Sequence, residues 1–271
     1  MLFCDSHTHS SCSFDAENTV EQMCITAIEK GLYSLAITDH CEVWAIDDVD
    51  PEFGDFKEKI PSSFEQCEAC KQKYKSKIKL LSGIELGEPL HDLMLSKKAL
   101  SFGEFDFVLA SVHNLQGEDD FFFLEYTQQN VYEILEKYFK EVLATANYQD
   151  FDSLAHLTYP LRYISERADF KIELSRFYPI IDEIFRALIK NNKALEINSS
   201  GLRKKIGCTL PDSDLIKRYK DLGGKYITIG SDAHNTTDLG ANLEDACIIA
   251  KQCGFTHQTI FEKRTPFLIE L

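Results

Sequence analysis

At 271 residues, 44% of them hydrophobic and 11% aromatic, with only 13 Gly and 7 Pro, the chain can bury a sizeable core and falls outside the disordered and fibrous classes. A formal net charge of −15 argues against a nucleic-acid partner, because that binding is driven by cationic contacts to phosphate. Nine cysteines without a secretion-type leader point to reduced thiols and a cytoplasmic location, and no apolar stretch approaches the roughly 20 residues that span a bilayer.

Short β-rich apolar runs alternate with amphipathic stretches along the whole chain. In order, the pattern predicts a strand at Leu2–His7, a helix at Thr19–Lys30, a strand at Tyr33–His40, a helix at Ser63–Lys77 and a strand at Ile78–Leu86. A helix at Leu93–Leu100, a strand at Phe105–His113, a helix at Gln129–Ala146 and a strand at Asp152–His156 follow. The last elements are a helix at Arg176–Lys190, a strand at Ala194–Asn198, a helix at Asp212–Lys220, a strand at Tyr226–Asp232 and a helix at Leu239–Cys253. Gly31, Gly223 and Gly254 fall where helix C-terminal caps belong. No Pro/Ser-rich linker interrupts the alternation and no fixed-period repeat is present, so one α/β domain over residues 1–271 is the simplest account.

Nearly every one of these strands ends in a residue able to bind metal: His7 and His9, Asp39 and His40, Glu85, His113, His156, and Asp232 with His234. The Ala194–Asn198 strand is the exception, ending in Asn198 with Arg203 shortly after. In a parallel barrel the C-terminal strand ends converge on one face, so residues scattered over the chain can meet in one pocket. His7-x-His9 and Asp232-x-His234 each place two candidate ligands two residues apart, on one side of an extended segment. Imidazoles suit zinc, iron and manganese, and Glu85, with two oxygens, can bridge two ions.

Taken singly, each of these residues has a structural reading, since a lone histidine at a strand end is more often hydrogen-bonded than metal-bound. The joint pattern decides: six of the eight histidines sit at or just past strand ends, while His91 and His257 do not and are read as surface residues. Asp5 and Asp39 precede ligands and are read either as carboxylates that orient imidazoles or as structural hydrogen-bonding groups. Cys67-x-x-Cys70 lies in a polar helical stretch with no second such pair, and the acidic segments at 42–58 and 118–120 read as solvated loops.

The ordered motifs "DSHTHSSCSFD", "AITDH", "GIE", "SVH", "AHL" and "GSDAH" resemble those of the PHP (polymerase and histidinol phosphatase) superfamily. Chain length, "EINSSGLRKK" and the ending "GFTHQTIFEKRTP" look most like its monofunctional histidinol-phosphate phosphatases. The resemblance implies a distorted (β/α)7 TIM-like barrel with a trinuclear metal site at the C-terminal ends of the strands. Carried over by position, His7 and His9 would hold one ion with Glu85 and Asp232. Glu85 would bridge to a second held by His113 and His156, and Asp15, His40 and His234 would hold a third. Asp15 stands where other superfamily members have His. Arg162 in "TYPLRY" and Arg203 in "SSGLRK" stand where phosphate-binding arginines are expected.

These readings together imply a phosphomonoesterase that hydrolyses L-histidinol phosphate with two to three divalent zinc, manganese or iron ions and a metal-bridging hydroxide as nucleophile. The general acid is not legible. A phosphatase for another small phosphomonoester or nucleotide shares the same motifs, whereas a nuclease or proofreading module would need a basic groove. The loop after His40 carries the only Trp, Trp44, and the loop after His113 carries Phe121–Phe123 beside Glu118, Asp119 and Asp120. These aromatics either stack on a flat imidazole of a small-molecule substrate, with the carboxylates pairing its ammonium, or pack the loops onto the barrel.

Overall fold

The computed structural model describes residues 1–47, 54–168 and 170–271; Asp48, Asp50 and Glu52 of the acidic segment lie outside the described residues. Its strands are β1 (Cys4–Asp5), β2 (Ser34–Ile37), β3 (His40–Glu42), β4 (Lys79–Gly87), β5 (Phe107–Ser111), β6 (Ser153–Leu154), β7 (Ala194–Asn198), β8 (Ile227–Gly230), β9 (His257–Glu262) and β10 (Thr265–Glu270). The α-helices are α1 (Val20–Glu29), α2 (Phe56–Tyr74), α3 (Leu93–Leu100), α4 (Val131–Asn147), α5 (Tyr159–Arg167), α6 (Tyr178–Lys190), α7 (Ser213–Asp221) and α8 (Leu243–Gln252). Local chemistry sets several helix starts. Thr19 and Gln22 form a reciprocal capping box on α1, and Asp55, Asp92 and Asp212 accept backbone N–H groups at the starts of α2, α3 and α7. Gly31 ends α1 at φ 72°, a conformation open to glycine at no steric cost.

Seven strands run parallel in the order β1-β2-β4-β5-β6-β7-β8, and β3 pairs with the upper half of β4 where β2 has ended, His40 opposite Glu85. The ring nearly closes between β8 and β1, where Ser6 N–H donates to Ile229 O at 2.9 Å and Asp232 N–H to His7 O at 2.8 Å. This is a distorted (β/α)7 barrel, with β1 and β6 each reduced to two residues. No helix among the described residues is long and apolar enough to cross a membrane.

Period-two alternation divides each strand between two environments. Leu80, Ile84 and Leu86 of β4, Val108 and Ala110 of β5 and Leu195 and Ile197 of β7 face the helices and join the main core. The other set lines the barrel, and it changes character with height. Cys4, Ala36, Leu81, Phe107, Leu109 and Ala194 form an apolar cluster. Further along the same inner faces come Glu85 on β4, His113 beyond β5 and Glu196 on β7, all buried.

The sequence reading placed no element after Cys253, yet β9 and β10 form an antiparallel hairpin there. Ile260 and Phe261 of β9 join the apolar cluster inside the barrel, and the Phe261 ring stacks on Phe107 at 5.4 Å. The hairpin therefore plugs the end of the barrel opposite the ligand-bearing strand ends. Its turn, Lys263 and Arg264, has φ of 49° and 62°, the double positive-φ turn that usually carries Asn-Gly. Anchoring offsets that strain: Lys263 N–H donates to Asp106 Oδ1 at 2.9 Å, Arg264 N–H to Asp106 O at 2.8 Å, and the Arg264 guanidinium pairs with Asp152. Basic side chains in place of Asn-Gly hid the turn from a reading based on turn residues.

Two further elements were not foreseen, α5 after His156 and the short strand β3. In addition, α2 begins at Phe56 and tolerates Pro61 inside it, where the pattern pointed to a start at Ser63. Truncating Phe261 to Ala should destabilise the fold by about 3–5 kcal/mol, the usual loss for a buried phenyl ring. Chemical denaturation should show it as a lower midpoint with an unchanged slope; a midpoint equal to wild type would mean the plug is dispensable.

Candidate metal centre

The nine candidate ligands reach one mouth of the barrel from seven places in the chain. His7 and His9 follow β1, Asp15 lies in the turn beyond, and His40 opens β3. Glu85 lies within β4, His113 follows β5, His156 follows β6, and Asp232 and His234 follow β8. Glu85, completely buried, is their common neighbour. Its Oε2 lies 3.1 Å from His7 Nε2, 3.5 Å from His9 Nε2 and 3.1 Å from His40 Nδ1. Its Oε1 lies 3.2 Å from His113 Nε2 and 3.0 Å from His156 Nε2. Asp232 Oδ1 approaches His7 and His9 Nε2 at 3.7 and 3.6 Å, and Asp15 Oδ2 lies 3.1 Å from His234 Nε2.

Donor atoms face donor atoms here. His7 and His9 oppose Nε2 to Nε2 at 3.1 Å, and His113 and His156 do the same at 3.4 Å. Ring nitrogens and carboxylate oxygens converging in one largely buried cluster suit cations, so the donor set fits divalent metal. Among the described residues, four groups have ligand atoms within 4.8 Å of one another: His7, His9 and Glu85; Glu85, His113 and His156; His9, His40 and His234; and His40, Glu42 and His113. The second coincides with an expected grouping, and the first holds three of the four residues expected, without Asp232. In the third, His9 stands where Asp15 was expected, although Asp15 Oδ1 lies 3.7 Å from His40 Nε2. The fourth contains Glu42, which the sequence reading did not single out.

Behind the ligands lie buried carboxylates that the strand-end pattern passed over. Glu42 Oε1 is 3.2 Å from His113 Nδ1, Glu88 Oε1 accepts the His113 backbone N–H at 2.5 Å, and Glu196 Oε1 is 2.7 Å from His7 Nδ1. A signal did exist: Glu42 follows His40 by two residues and Glu196 precedes Asn198 by two, which in a strand means a shared face. The carboxylate of Asp5 orients no imidazole side chain here. It accepts from Ser231 N–H and Oγ–H at 2.8 and 2.6 Å and from Gly240 N–H at 2.9 Å, which ties down the loop carrying Asp232 and His234. Asp39 acts on an imidazole at one remove: it accepts from Ser10, Ser63 and Ser13, and Ser13 Oγ lies 3.1 Å from His9 Nδ1.

Above the histidines opens a cavity of about 640 Å³. Arg162 on α5 lines it, stacked over the Tyr159 and Tyr163 rings, with Nη2 donating to Asp232 Oδ2 at 2.8 Å and Ser200 Oγ at 2.7 Å. Arg203 is directed elsewhere: its Nη2 donates to Ser231 O at 2.8 Å, beside the Asp232 backbone. Lys204, not singled out by the sequence, supplies a second cation on the wall. The aromatic loops divide between their two readings. Trp44, Phe122 and Phe123 line the cavity with 40, 47 and 54% exposure, while Phe121 is fully buried in the core. His91 corrects its surface reading: its side chain is 5% exposed, with Nε2 3.4 Å from Glu141 Oε1.

Charge at the mouth is balanced by protons. Burial alone would lower the His7 imidazole, but Glu196, Glu85 and Asp232 together push it well above the ordinary histidine range. His113 is likewise raised against burial by Glu42 and Glu85, and His40 is raised to about 9 against burial by Glu85 and Asp15. His9 falls well below its ordinary value through burial beside His234 and His40. Burial would raise Glu85 and Asp232, but their histidine neighbours hold both well below the usual carboxylate range.

These shifts fix the sign of a pH effect. A histidine raised on folding stabilises the cation-free protein below its unfolded value of about 6.5, and that contribution is lost as pH rises through the folded value, about 9 for His40. Bound cations must displace the same protons, so their stabilisation should grow over the same interval. Thermal unfolding with and without chelator should show a gap in Tm that widens from pH 6.5 to 9. A gap constant across that range would remove the protonated histidines from the account.

The PHP domain family model matches residues 5–200. A probable histidinol-phosphatase of Clostridium acetobutylicum is 34% identical over 97% of this chain and 98% of its own length. The histidinol-phosphatase of Lactococcus lactis subsp. lactis is 30% identical over 95% of this chain and 93% of its own. A crystal structure of histidinol phosphate phosphatase from that organism, complexed with zinc, L-histidinol and phosphate, superposes with a TM-score of 0.79 at 28% identity, covering 98% of both chains. With a matching model across most of its length and its motif residues gathered at one barrel mouth, the chain belongs to the PHP domain family.

Proposed function

We propose that the chain, as one barrel domain over residues 1–271, is a phosphomonoesterase that hydrolyses L-histidinol phosphate to L-histidinol and inorganic phosphate. The observation that carries this reading is Glu85, buried, with one carboxylate oxygen facing His7, His9 and His40 and the other His113 and His156, beneath a cavity walled by Arg162 and aromatic rings. His7, His9, Glu85 and Asp232 would hold one divalent ion, Glu85, His113 and His156 a second, and Asp15, His40 and His234 a third, with zinc, manganese or iron suited to the donors. Such ions, when bound, lower the pKa of water toward neutrality and neutralise charge on the phosphoryl group.

The chain's own residues do the rest. Arg162 presents a guanidinium at the cavity wall, already aligned by Asp232 and the Tyr159 and Tyr163 rings, where it suits a phosphoryl oxygen. Arg203 holds the Ser231 carbonyl, so its effect on phosphate would pass through the loop that carries Asp232. Trp44, Phe122 and Phe123 offer faces for a flat imidazole, and Glu118, Asp119 and Asp120 on the same wall suit an ammonium.

Turnover of L-histidinol phosphate, a nucleoside monophosphate and a simple aryl phosphate, measured side by side, tests the substrate. Histidinol phosphate should be preferred by kcat/KM, and chelator should abolish activity on all three. Preference for the nucleotide would move the chain to another phosphatase activity, and chelator-resistant turnover would end the metal-dependent reading.

Trp44→Ala should lower kcat/KM for histidinol phosphate by about tenfold or more, on the order of 1.4 kcal/mol of lost stacking, and change the aryl phosphate far less. Equal losses on both substrates would assign Trp44 to packing of its loop.

A further inference from the structure

Histidines from two different donor groups, His7 through its ring and His156 through its backbone N–H, lean on one carboxylate outside both. Glu196 sits on the inner face of β7 and is 1% exposed. Its Oε1 lies 2.7 Å from His7 Nδ1, while its Oε2 accepts the His156 backbone N–H at 2.7 Å and the Asn198 side-chain amide at 3.3 Å. His156 needs such a hold, because its φ of 20° is a backbone conformation that side-chain-bearing residues seldom adopt. Gly230 on β8 leaves the room: a Cβ there would stand 2.7 Å from Glu196 Oε1 and closer still to the His7 side chain.

The chemistry follows from which atoms are taken. A carboxylate accepting at Nδ1 holds a proton on that nitrogen of His7, so that Nε2, which faces His9 and Glu85, is the nitrogen at which a cation would replace a proton. The other oxygen sets the peptide from which the His156 ring projects toward Glu85. Glu42 makes the comparable bridge one step around the mouth, 3.2 Å from His113 Nδ1 and 3.4 Å from His40 Nδ1.

We propose that Glu196 is a positioning residue that couples the first and second cation sites, holding His7 through one oxygen and the strained His156 peptide through the other. The proposal rests on the reading of these histidines as metal ligands. A single change at Glu196 then loosens two sites together, whereas a change at Glu42 acts on the second and third and leaves His7 untouched.

Glu196→Gln keeps the shape but has one acceptor oxygen, so it cannot serve both the His7 and His156 N–H groups. The test titrates Zn²⁺ into the chelator-stripped full-length chain by calorimetry, with ion counts by elemental analysis and folding checked by circular dichroism. Wild type should bind two or three ions. Glu196→Gln should remain folded and lose affinity at two of them by about ten- to a hundredfold, the usual effect of removing an outer hydrogen-bond partner. With Co²⁺ in place of Zn²⁺, its visible absorption should shift, which a merely structural role would not produce. Glu42→Gln should weaken a different pair of sites.

Wild-type affinities and an unshifted Co²⁺ spectrum in folded Glu196→Gln would overturn the proposal, and so would weakening confined to one site. If that variant does not fold, Glu196→Asp, one methylene too short to span both partners, takes its place with the same expected losses and the same overturning results. A wild-type chain that binds no ion would bring down the metal-dependent reading itself, which is a different failure.

Discussion

A single carboxylate buried among imidazoles governs this molecule. Glu85 is inaccessible to water, and an isolated buried carboxylate would pay several kcal/mol in lost hydration and stay protonated instead. It stays ionised because the rings of His7, His9, His40, His113 and His156 all place a nitrogen within 3.5 Å of its oxygens. Those rings arrive from four different strand ends. Every strand must therefore end at the right height, and the barrel is the scaffold that aligns them.

The same constraint explains the layering of the interior. A charged, closely hydrogen-bonded mouth cannot supply hydrophobic stabilisation, so the apolar burial falls to the outer face of the strands and the lower half of the barrel. That lower half is lined by Cys4, Ala36, Leu81, Phe107, Leu109 and Ala194, and Ile260 and Phe261 of the terminal hairpin complete the packing. Site and plug occupy opposite ends of one channel, and the strands between them carry Ser153 and Thr228, hydrogen-bonded to each other at 2.8 Å where polar gives way to apolar.

How much of this was legible in the sequence follows from which signals are local. All seven barrel strands and seven of the helices could be read from periodicity, because each packs one face against one environment. The candidate ligands could be singled out because His-x-His and Asp-x-His at strand ends are rare combinations. Glu42, Glu88 and Glu196 were not read, since a carboxylate earns a buried position only through partners far away in sequence, as Glu196 does through His7. Helix α5 was missed because it is short and its apolar pattern is broken by Arg162, a residue that faces the site. The hairpin escaped because Lys263 and Arg264 take a turn conformation that only Asp106 and Asp152 make tolerable.

The net charge of −15 and an anionic substrate fit together once charge is followed locally. At the floor, the acidic ligands are matched by histidines and, in the proposed holoenzyme, by divalent ions, with Arg162 and Lys204 adding cationic charge on the wall. At the rim the balance reverses. Glu118, Asp119 and Asp120 stand on the same cavity, and burial raises Asp120 from its ordinary value, so its ionised form would be favoured by an incoming cation. A ligand that suits both ends carries phosphate at one terminus and a positive amine a few bonds away. A nucleotide carries the phosphate but lacks the amine, and would leave the rim carboxylates facing neutral ribose. The presence of both signs of charge on the cavity accords with the proposed amino-alcohol phosphate better than with the other small phosphomonoesters that the candidate metal ligands alone would admit.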